Sequence, residues 1–223
     1  GEIVGLLGHN GAGKTAFCVG LVHLLRGQGQ HPALFKPVRV MDGTSDSVPD
    51  ADASFFANLD GVPVPEAWPI DVSSREAQDG LQPATVKRAL SAFQDVSAEA
   101  SDVIVEGATP FVDQSLAEAL DAKVVLLTRY TPDLRPDEIV GAAASVGQRL
   151  LGVVINGVPR YRSNQVQKSV VKPLSDQMVP VIGVLPEERC LMGITVNQIA
   201  QHLGGEFLLW EEKGDQLVDH IMI

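Results

Sequence analysis

The sequence is poor in several features that mark large classes of proteins. Only two of its 223 residues are cysteines, Cys18 and Cys190, and their wide separation matches neither a metal site nor a disulfide framework. We expect both to be small buried apolar residues. Aromatic residues make up only 5% of the chain, so Ala, Val, Leu and Ile must fill most of the core.

Positive charge and long apolar runs are also scarce. Lys and Arg number 17 against 28 Asp and Glu, which gives a net charge of −11. So acidic a chain is a poor partner for nucleic acids and anionic membranes, and we expect neither. No apolar run reaches the roughly 18 residues that span a bilayer. The first apolar run is also too short for a secretory leader, so we expect a cytoplasmic protein.

What the sequence does have is a regular alternation of short apolar runs and helical patterns. Several runs are apolar at consecutive positions, as in parallel strands that are covered on both faces. This predicts an α/β fold whose central sheet is mostly parallel, has about seven strands and carries helices on both faces. The predicted strands are residues 2–8, 32–38, 102–108, 123–129, 150–156, 179–185 and 205–210. The predicted helices are residues 14–27, 51–59, 83–100, 113–121, 135–148, 162–177, 195–203 and 211–221.

One stretch, residues 39–82, interrupts this alternation. It is rich in Asp, Pro, Gly and Ser and contains one short helical pattern. A polar excursion of this length in a compact domain is usually a functional loop or a linker. We predict a single domain over residues 1–223, with this excursion near the functional site.

The stretch "GLLGHNGAGKT" near the start fits the pattern G-x-x-x-x-G-K-[ST] at residues 8–15. A short apolar run precedes it and an amphipathic helical pattern follows, which is the context of a phosphate-binding loop. Glycines let backbone N–H groups converge on an anion, and the N-terminus of the next helix adds its free N–H groups. The alternative is a glycine-rich turn with a solvated lysine. The pattern favours nucleotide binding through Gly8, Asn10, Gly11, Ala12, Gly13, Lys14, Thr15 and Ala16, with the Thr15 hydroxyl directed to Mg²⁺.

Charged residues follow two other predicted strands, at the edge where ligands bind in open α/β sheets. "FKPV" places Lys36 there, either as a surface charge or as a cation directed at the site. "VIVEGA" ends a buried-looking strand on Glu106, and a carboxylate at that position is costly unless it meets a cation. Mg²⁺ held by Thr15 and phosphates would supply one. The alternative is a glutamate that is simply exposed at the end of its strand.

Other polar residues leave two roles open. Asp50 and Asp52 precede "ASFFANL", so either could cap a helix or bind a metal. Asp46 lies among turn-forming residues of the same excursion. Asn156 ends the run "VVIN" and is either a turn residue or a reader of an adenine edge.

Together these residues resemble the dethiobiotin synthetase-like family of P-loop proteins, over nearly the whole chain. The resemblance implies a P-loop NTPase fold, ATP and Mg²⁺ as cofactors, and a homodimer. It implies that Lys36 assists catalysis at the transferred phosphoryl group together with Lys14. It also implies that Thr15, Asp52 and Glu106 hold Mg²⁺, with Asp46 and Asp50 as alternatives to Asp52, and that Asn156, Pro186 and Glu187 contact adenine.

A narrower resemblance is carried by "LFKPVRV", "LLTRY", "LLGVVINGVP" and "PVIGVLPEERCLMGITVNQIAQHLGGEFL". These segments look like the module at the N-terminus of long phosphotransacetylases, which also precedes a regulatory module named for an Asp-Arg-Thr-Gly-Gly run. The resemblance implies a piece of a longer protein with a C-terminal regulatory or acyltransferase module. Authentic dethiobiotin synthetases carry a Thr in the phosphate loop, small polar residues after Lys-Pro-Val, and a Ser-Pro-His run. This chain has "HNGA", "RVMD" and "SSREAQ" instead, so the substrate half of the pattern is missing.

We therefore expect a Mg·ATP-binding sensor or regulatory domain. The alternative is an ATP-dependent ligase, similar to dethiobiotin or cobyrinic acid a,c-diamide synthetases, that phosphorylates a small carboxylate or carbamate. A scaffold with a vestigial phosphate loop is the third interpretation. Whether ATP is hydrolysed stays open at this point.

Overall fold

The computed structural model describes residues 2–9, 11–41, 50–59, 69–108, 110–188 and 193–218, apart from the side chains of residues 110–113 and 211. The chain divides into two compact units, residues 1–185 and 186–223. Among the described residues, no helix is both long and apolar enough to cross a membrane.

The first unit is built on a six-stranded sheet, whose strands are β1 (Ile3–Leu7), β2 (Ala33–Phe35), β5 (Val103–Glu106), β6 (Lys123–Arg129), β7 (Leu150–Val158) and β8 (Val181–Pro186). Their order across the sheet is β2-β5-β1-β6-β7-β8. The strands from the β2 edge to β7 pair in parallel, β2 with β5, β5 with β1, β1 with β6 and β6 with β7. The predicted α/β class and mostly parallel sheet are confirmed, with six strands where about seven were expected.

Helices cover both faces of this sheet. Successive residues of its strands point to opposite faces, so apolar runs present an apolar surface on each. Val124 and Leu126 of β6 join one core cluster, while Val125 and Leu127 join the other. The helices are α1 (Lys14–Gly27), α2 (Ala51–Ala57), α3 (Ser74–Asp79), α4 (Pro83–Ser97), α5 (Pro110–Ala119), α6 (Pro136–Val146), α7 (Ser163–Val166) and α8 (Lys172–Asp176). A 3₁₀ turn (Arg160–Arg162) leads into α7, and a π-helical segment (Gln167–Val171) joins α7 to α8, so the predicted helix at 162–177 is one uninterrupted helical stretch.

The polar excursion has more regular structure than its sequence predicts. Strand β3 (Val38–Met41) and strand β4 (Ile70–Ser73) pair in parallel as a separate two-stranded sheet, and α3 follows β4 directly. Val38, Ile70 and Val72 are buried in a third apolar cluster. The predicted strand 32–38 is therefore corrected to β2, since Val38 belongs to the second sheet.

The second unit contains strands β9 (Ile194–Thr195) and β10 (Leu217–Val218), which pair antiparallel. Helix α9 (Val196–Leu203) begins at a capping box, in which Thr195 and Gln198 each accept a hydrogen bond from the other's backbone N–H. This confirms the predicted helix at 195–203.

Two predictions for this unit are wrong. Residues 205–210 form no strand, and Leu208 and Leu209 are exposed. Within the described part of the predicted helix 211–221 there is only a 3₁₀ turn (Glu211–Lys213), followed by β10. An apolar run alone does not show whether a segment finds a partner strand.

Candidate functional site

The sheet register brings the predicted site residues of the first unit to one edge. Leu6 of β1 pairs with Glu106 at the end of β5, and the Gly107 N–H donates to the Leu6 carbonyl at 3.0 Å. Phe35, the last residue of β2, pairs with Val105, which places Lys36 next to the level of Glu106. The carboxyl ends of β1, β2 and β5 therefore meet where the loop 8–15 begins.

Close packing explains two of the loop's glycines. A Cβ on Gly8 would collide with the carbonyl oxygen of Leu127, so only glycine lets the loop leave β1 beside β6. Gly13 has φ +91°, a left-handed conformation, and a Cβ there would collide with the amide nitrogen of Asn156. Helix α1 begins directly after Gly13 without a side-chain cap. Its first N–H groups are thus left for a ligand, which is the arrangement that binds phosphate at a helix N-terminus.

Lys14 lies inside this loop and is buried. Its ammonium donates to the Gly8 carbonyl at 2.9 Å and to the His9 carbonyl at 3.4 Å. The lysine therefore bends back over the loop, which places its charge where the loop N–H groups would hold an anion. His9 takes part through its backbone carbonyl.

Thr15 joins two acidic residues from distant parts of the chain. Its hydroxyl oxygen lies 3.1 Å from Asp52 Oδ1 and 2.8 Å from Glu106 Oε1. A hydroxyl has one hydrogen and cannot donate it fully to both carboxylates. The other oxygen of Glu106, Oε2, is buried and has no hydrogen-bond partner among the described residues. The cluster is therefore short of positive charge.

This shortage perturbs the Glu106 carboxyl group. Burial, reinforced by the negative charge of Asp52, raises the pKa of Glu106 from 4.5 to about 7, while the Thr15 hydrogen bond and the two lysines act in the opposite direction. A divalent cation would remove the same shortage. Mg²⁺ prefers carboxylate and hydroxyl oxygens and is usually bound by one or two carboxylates together with substrate phosphates. Among the described residues there is no group of three or more His, Cys, Asp and Glu side chains that could hold a metal.

Lys36 is the second buried cation of the site. It donates to both oxygens of Asp50, at 2.8 and 2.9 Å, and to Asp52 Oδ2 at 2.6 Å. Burial alone would lower the pKa of Lys36, but the hydrogen bonds and charges of the two aspartates outweigh it, so its pKa is raised above the ordinary value. Lys36 is therefore a directed cation rather than a surface charge.

Asn156 lies beside the loop at the end of the β6–β7 pairing. Its amide nitrogen donates to the Ala12 carbonyl at 2.9 Å, and this hydrogen bond stabilises the loop. The adenine contact predicted for Asn156 stays a prediction. Pro186 is the last residue of β8, and Pro186 and Glu187 are the first two residues of the second unit. The adenine contacts predicted for these two residues also stay predictions. Asn10 and Asp46 lie outside the described residues.

A cavity of about 650 Å³ opens over this cluster. Its volume lies within the range of small-molecule binding sites. Arg39 lines it, and this residue was not predicted from the sequence. Its guanidinium is fixed by a two-point contact with Asp71, at 2.7 and 2.9 Å, across the β3–β4 pair. The lining residues are Gly11, Gly13, Lys14, Thr15, Lys36, Arg39, Val40, Asp50, Asp52, Glu106, Gly107 and Ala108.

The dual contact of Asp50 was also missed. Its Oδ1 accepts from the Ala53 N–H at 2.8 Å and thereby caps α2, while the same carboxylate binds Lys36. The sequence offered capping or metal binding for this residue, and no local signal connected it with Lys36. Fourteen positions separate the two residues, and only the fold brings them together.

Among the curated proteins that are similar to the chain in sequence are two phosphate acetyltransferases. That of Pseudomonas aeruginosa is 28% identical over 163 residues, which cover 66% of this chain and 23% of the relative. That of Haemophilus influenzae is 22% identical over 232 aligned positions, which cover 89% of this chain and 32% of the relative. The chain thus spans about a quarter to a third of the length of these relatives.

Solved structures with similar architecture share the fold at low identity. The 54 kDa protein of the signal recognition particle from Aeropyrum pernix, in complex with GDP, has a TM-score of 0.54 and 14% identity, covering 84% of this chain and 42% of that one. The MinD cell division protein from Aquifex aeolicus has a TM-score of 0.53 and 16% identity, covering 86% and 85%. Both confirm the predicted P-loop NTPase fold. The AAA domain family AAA_26 matches residues 8–195, most of the chain, and the chain belongs to this family.

Proposed function

We propose that residues 1–223 act as a single Mg·ATP-binding domain of the dethiobiotin synthetase-like type. In this proposal it is a nucleotide-sensing or regulatory module related to a part of the phosphate acetyltransferases. The observation that carries the proposal is the cluster in which Asp52 and Glu106 converge on the Thr15 hydroxyl with too little positive charge between them. A purely structural cluster would be expected to satisfy its buried carboxylate.

Each residue of the site has a role in binding a triphosphate. The loop N–H groups and the N-terminus of α1 would bind the phosphate oxygens, and Lys14 would turn from the loop carbonyls towards the outer phosphates. Thr15, Asp52 and Glu106 would hold Mg²⁺, whose charge neutralises the bound phosphates. Lys36 would face the terminal phosphate from the neighbouring strand. Asn156, which already contacts the loop, and Pro186 and Glu187 would read the base, and the resemblance favours adenine.

Sensing is preferred to catalysis because the chain keeps the nucleotide-binding residues of the family and lacks its substrate-binding ones. The phosphate loop has "HNGA" without the Thr of authentic synthetases, and "SSREAQ" occupies the place of their Ser-Pro-His run. Arg39 follows Lys-Pro-Val, where the family has small polar residues. Its side chain is held by Asp71 and lines the cavity. We infer a domain that responds to ATP within a longer protein, working as a homodimer next to a regulatory or acyltransferase module.

The test measures binding and turnover together. Calorimetry should show saturable, magnesium-dependent ATP binding, while chromatography of the same samples should show little ADP after hours. Lys14→Ala should abolish binding, whereas Lys87→Ala, which removes an equal charge from the exposed face of α4, should leave it unchanged. Rapid hydrolysis of ATP by the isolated chain would contradict a sensing role.

An ATP-dependent ligase is the second candidate, and the volume of the cavity favours it. About 650 Å³ beside Lys36 leaves room for a small carboxylate or carbamate next to the terminal phosphate. Lys14 and Lys36 would then stabilise the charge of the transferred phosphoryl group. A panel of small carboxylates and diamines, including the substrates of dethiobiotin and cobyrinic acid a,c-diamide synthetases, tests this candidate. ADP release stimulated by one member would favour it, and a panel without stimulation would exclude it for those compounds.

A further inference from the structure

Two aspartates share the ammonium group of Lys36. An ammonium has three hydrogens to donate. In the structure it makes three hydrogen bonds, two to the oxygens of Asp50 and one to Asp52 Oδ2. Lys36 therefore has no hydrogen left for a phosphate oxygen while both aspartates are in place.

The two aspartates differ in how firmly they are held. The side chain of Asp50 is 9% exposed, and its Oδ1 also caps α2 through the Ala53 N–H. The side chain of Asp52 is 39% exposed and lies within the first turn of α2, where its second oxygen contacts Thr15. Moving Asp50 would break the helix cap and remove two of the three hydrogen bonds of the Lys36 ammonium, while moving Asp52 leaves the cap intact and removes one.

We propose that Asp50 is the positioning residue of Lys36 and that Asp52 is an exchangeable ligand. With metal and nucleotide bound, Asp52 would be one of the residues that hold the metal, and one hydrogen of Lys36 would then be free for the terminal phosphate. Asp50 stays on Lys36 throughout and keeps the ammonium aimed at the site. The exchange rests on the proposed function, but the fixed pair of Lys36 and Asp50 exists in the nucleotide-free protein.

The first experiment is a double-mutant cycle on the nucleotide-free chain, read from thermal and urea unfolding midpoints. Asp50→Asn keeps an N-cap acceptor and removes the charge, so the effect on Lys36 is separated from the effect on α2. It should lower the thermal midpoint by several degrees in the wild-type background and by much less in a Lys36→Met background. Asp52→Asn should show the smaller coupling with Lys36→Met. Equal couplings, or a larger one for Asp52, would overturn the assignment.

Asp50→Ser provides a second variant, because serine caps helices well but is too short to reach Lys36. It should behave as Asp50→Asn does. Asp79→Asn, which removes an exposed carboxylate from α3, is the control for loss of one acidic charge. An effect of the same size in this control would also contradict the pairing.

The second experiment compares ATP affinity with and without magnesium. In the wild type magnesium should tighten ATP binding by about tenfold or more, which is the usual size of the coupling between two ligands. Asp52→Asn should bring this ratio close to one, while Asp50→Asn should keep it within about threefold of the wild-type value. Loss of the ratio in Asp50→Asn would make Asp50 a metal ligand and overturn the proposal. If the wild type binds no nucleotide, the proposed function fails, and the unfolding cycle alone decides the role of Asp50.

Discussion

Replacing Gly13 by alanine tests how the phosphate loop is held in shape. The φ of +91° at this position costs a residue with a Cβ about 1–2 kcal/mol. The new Cβ would also displace the Asn156 amide and break its 2.9 Å hydrogen bond to Ala12, at about 1 kcal/mol. The loop conformation that binds phosphate should therefore become less stable by about 2–3 kcal/mol, which weakens Mg·ATP binding roughly 30- to 150-fold.

Gly11→Ala is the matched control. Gly11 has φ +78°, so an alanine there carries the same backbone strain, but its Cβ would meet open space. We expect it to weaken binding roughly 5- to 30-fold, about fivefold less than Gly13→Ala. In an Asn156→Ala background the obstructing amide is gone, and the two glycine variants should become equal.

Calorimetric titration of the three single and two double variants measures these affinities, and circular dichroism verifies that each is folded. The reasoning is refuted if Gly13→Ala and Gly11→Ala weaken binding equally when Asn156 is present. It is also refuted if the difference between them persists when Asn156 is removed.

Further predictions concern the buried titratable groups. Because the folded-state pKa of Glu106, about 7, lies above its ordinary 4.5, its ionisation should cost the nucleotide-free protein stability as pH rises through this range, by about 3 kcal/mol at pH 8. Urea unfolding should therefore show that Glu106→Gln is more stable than the wild type at pH 8 and about equally stable at pH 4. The raised pKa would be contradicted if the wild type gained stability relative to the variant as the pH rose to 8. Burial raises the pKa of Cys18 well above its ordinary value, so in a Cys190→Ser variant iodoacetamide should label Cys18 only as fast as the protein unfolds. Prompt labelling of the folded variant would show that α1 packs less tightly than described.

Much of the fold was predictable because its strands are buried on both faces. The runs that became β5, β6 and β7 are apolar at consecutive positions, and residues 123–129 were predicted with the observed bounds. β4 was missed because its residues alternate between buried and exposed within a polar segment. The run at 205–210 failed for the opposite reason, since it is apolar and yet exposed, with Leu208 at 91%.

The site was predictable to the extent that single residues carry its chemistry. The loop pattern identifies Lys14 and Thr15, and the end of a buried strand identifies Glu106. The sequence could not separate Asp50 from Asp52, because both precede the same helix and either could cap it. The separation depends on which carboxylate is buried against Lys36, and only the folded structure shows that the side chain of Asp50 is 9% exposed and that of Asp52 39%.

The central claim is that the loop at residues 8–15 captures a triphosphate although the chain carries a net charge of −11. Thermal unfolding with and without Mg·ATP at a hundred times its Kd measures this capture directly. The account predicts about 2.7 kcal/mol of added stability, a rise of roughly 5–10 °C in the midpoint, in the wild type and in Lys87→Ala but not in Lys14→Ala. An unchanged midpoint in the wild type, or the same rise in Lys14→Ala, would contradict it.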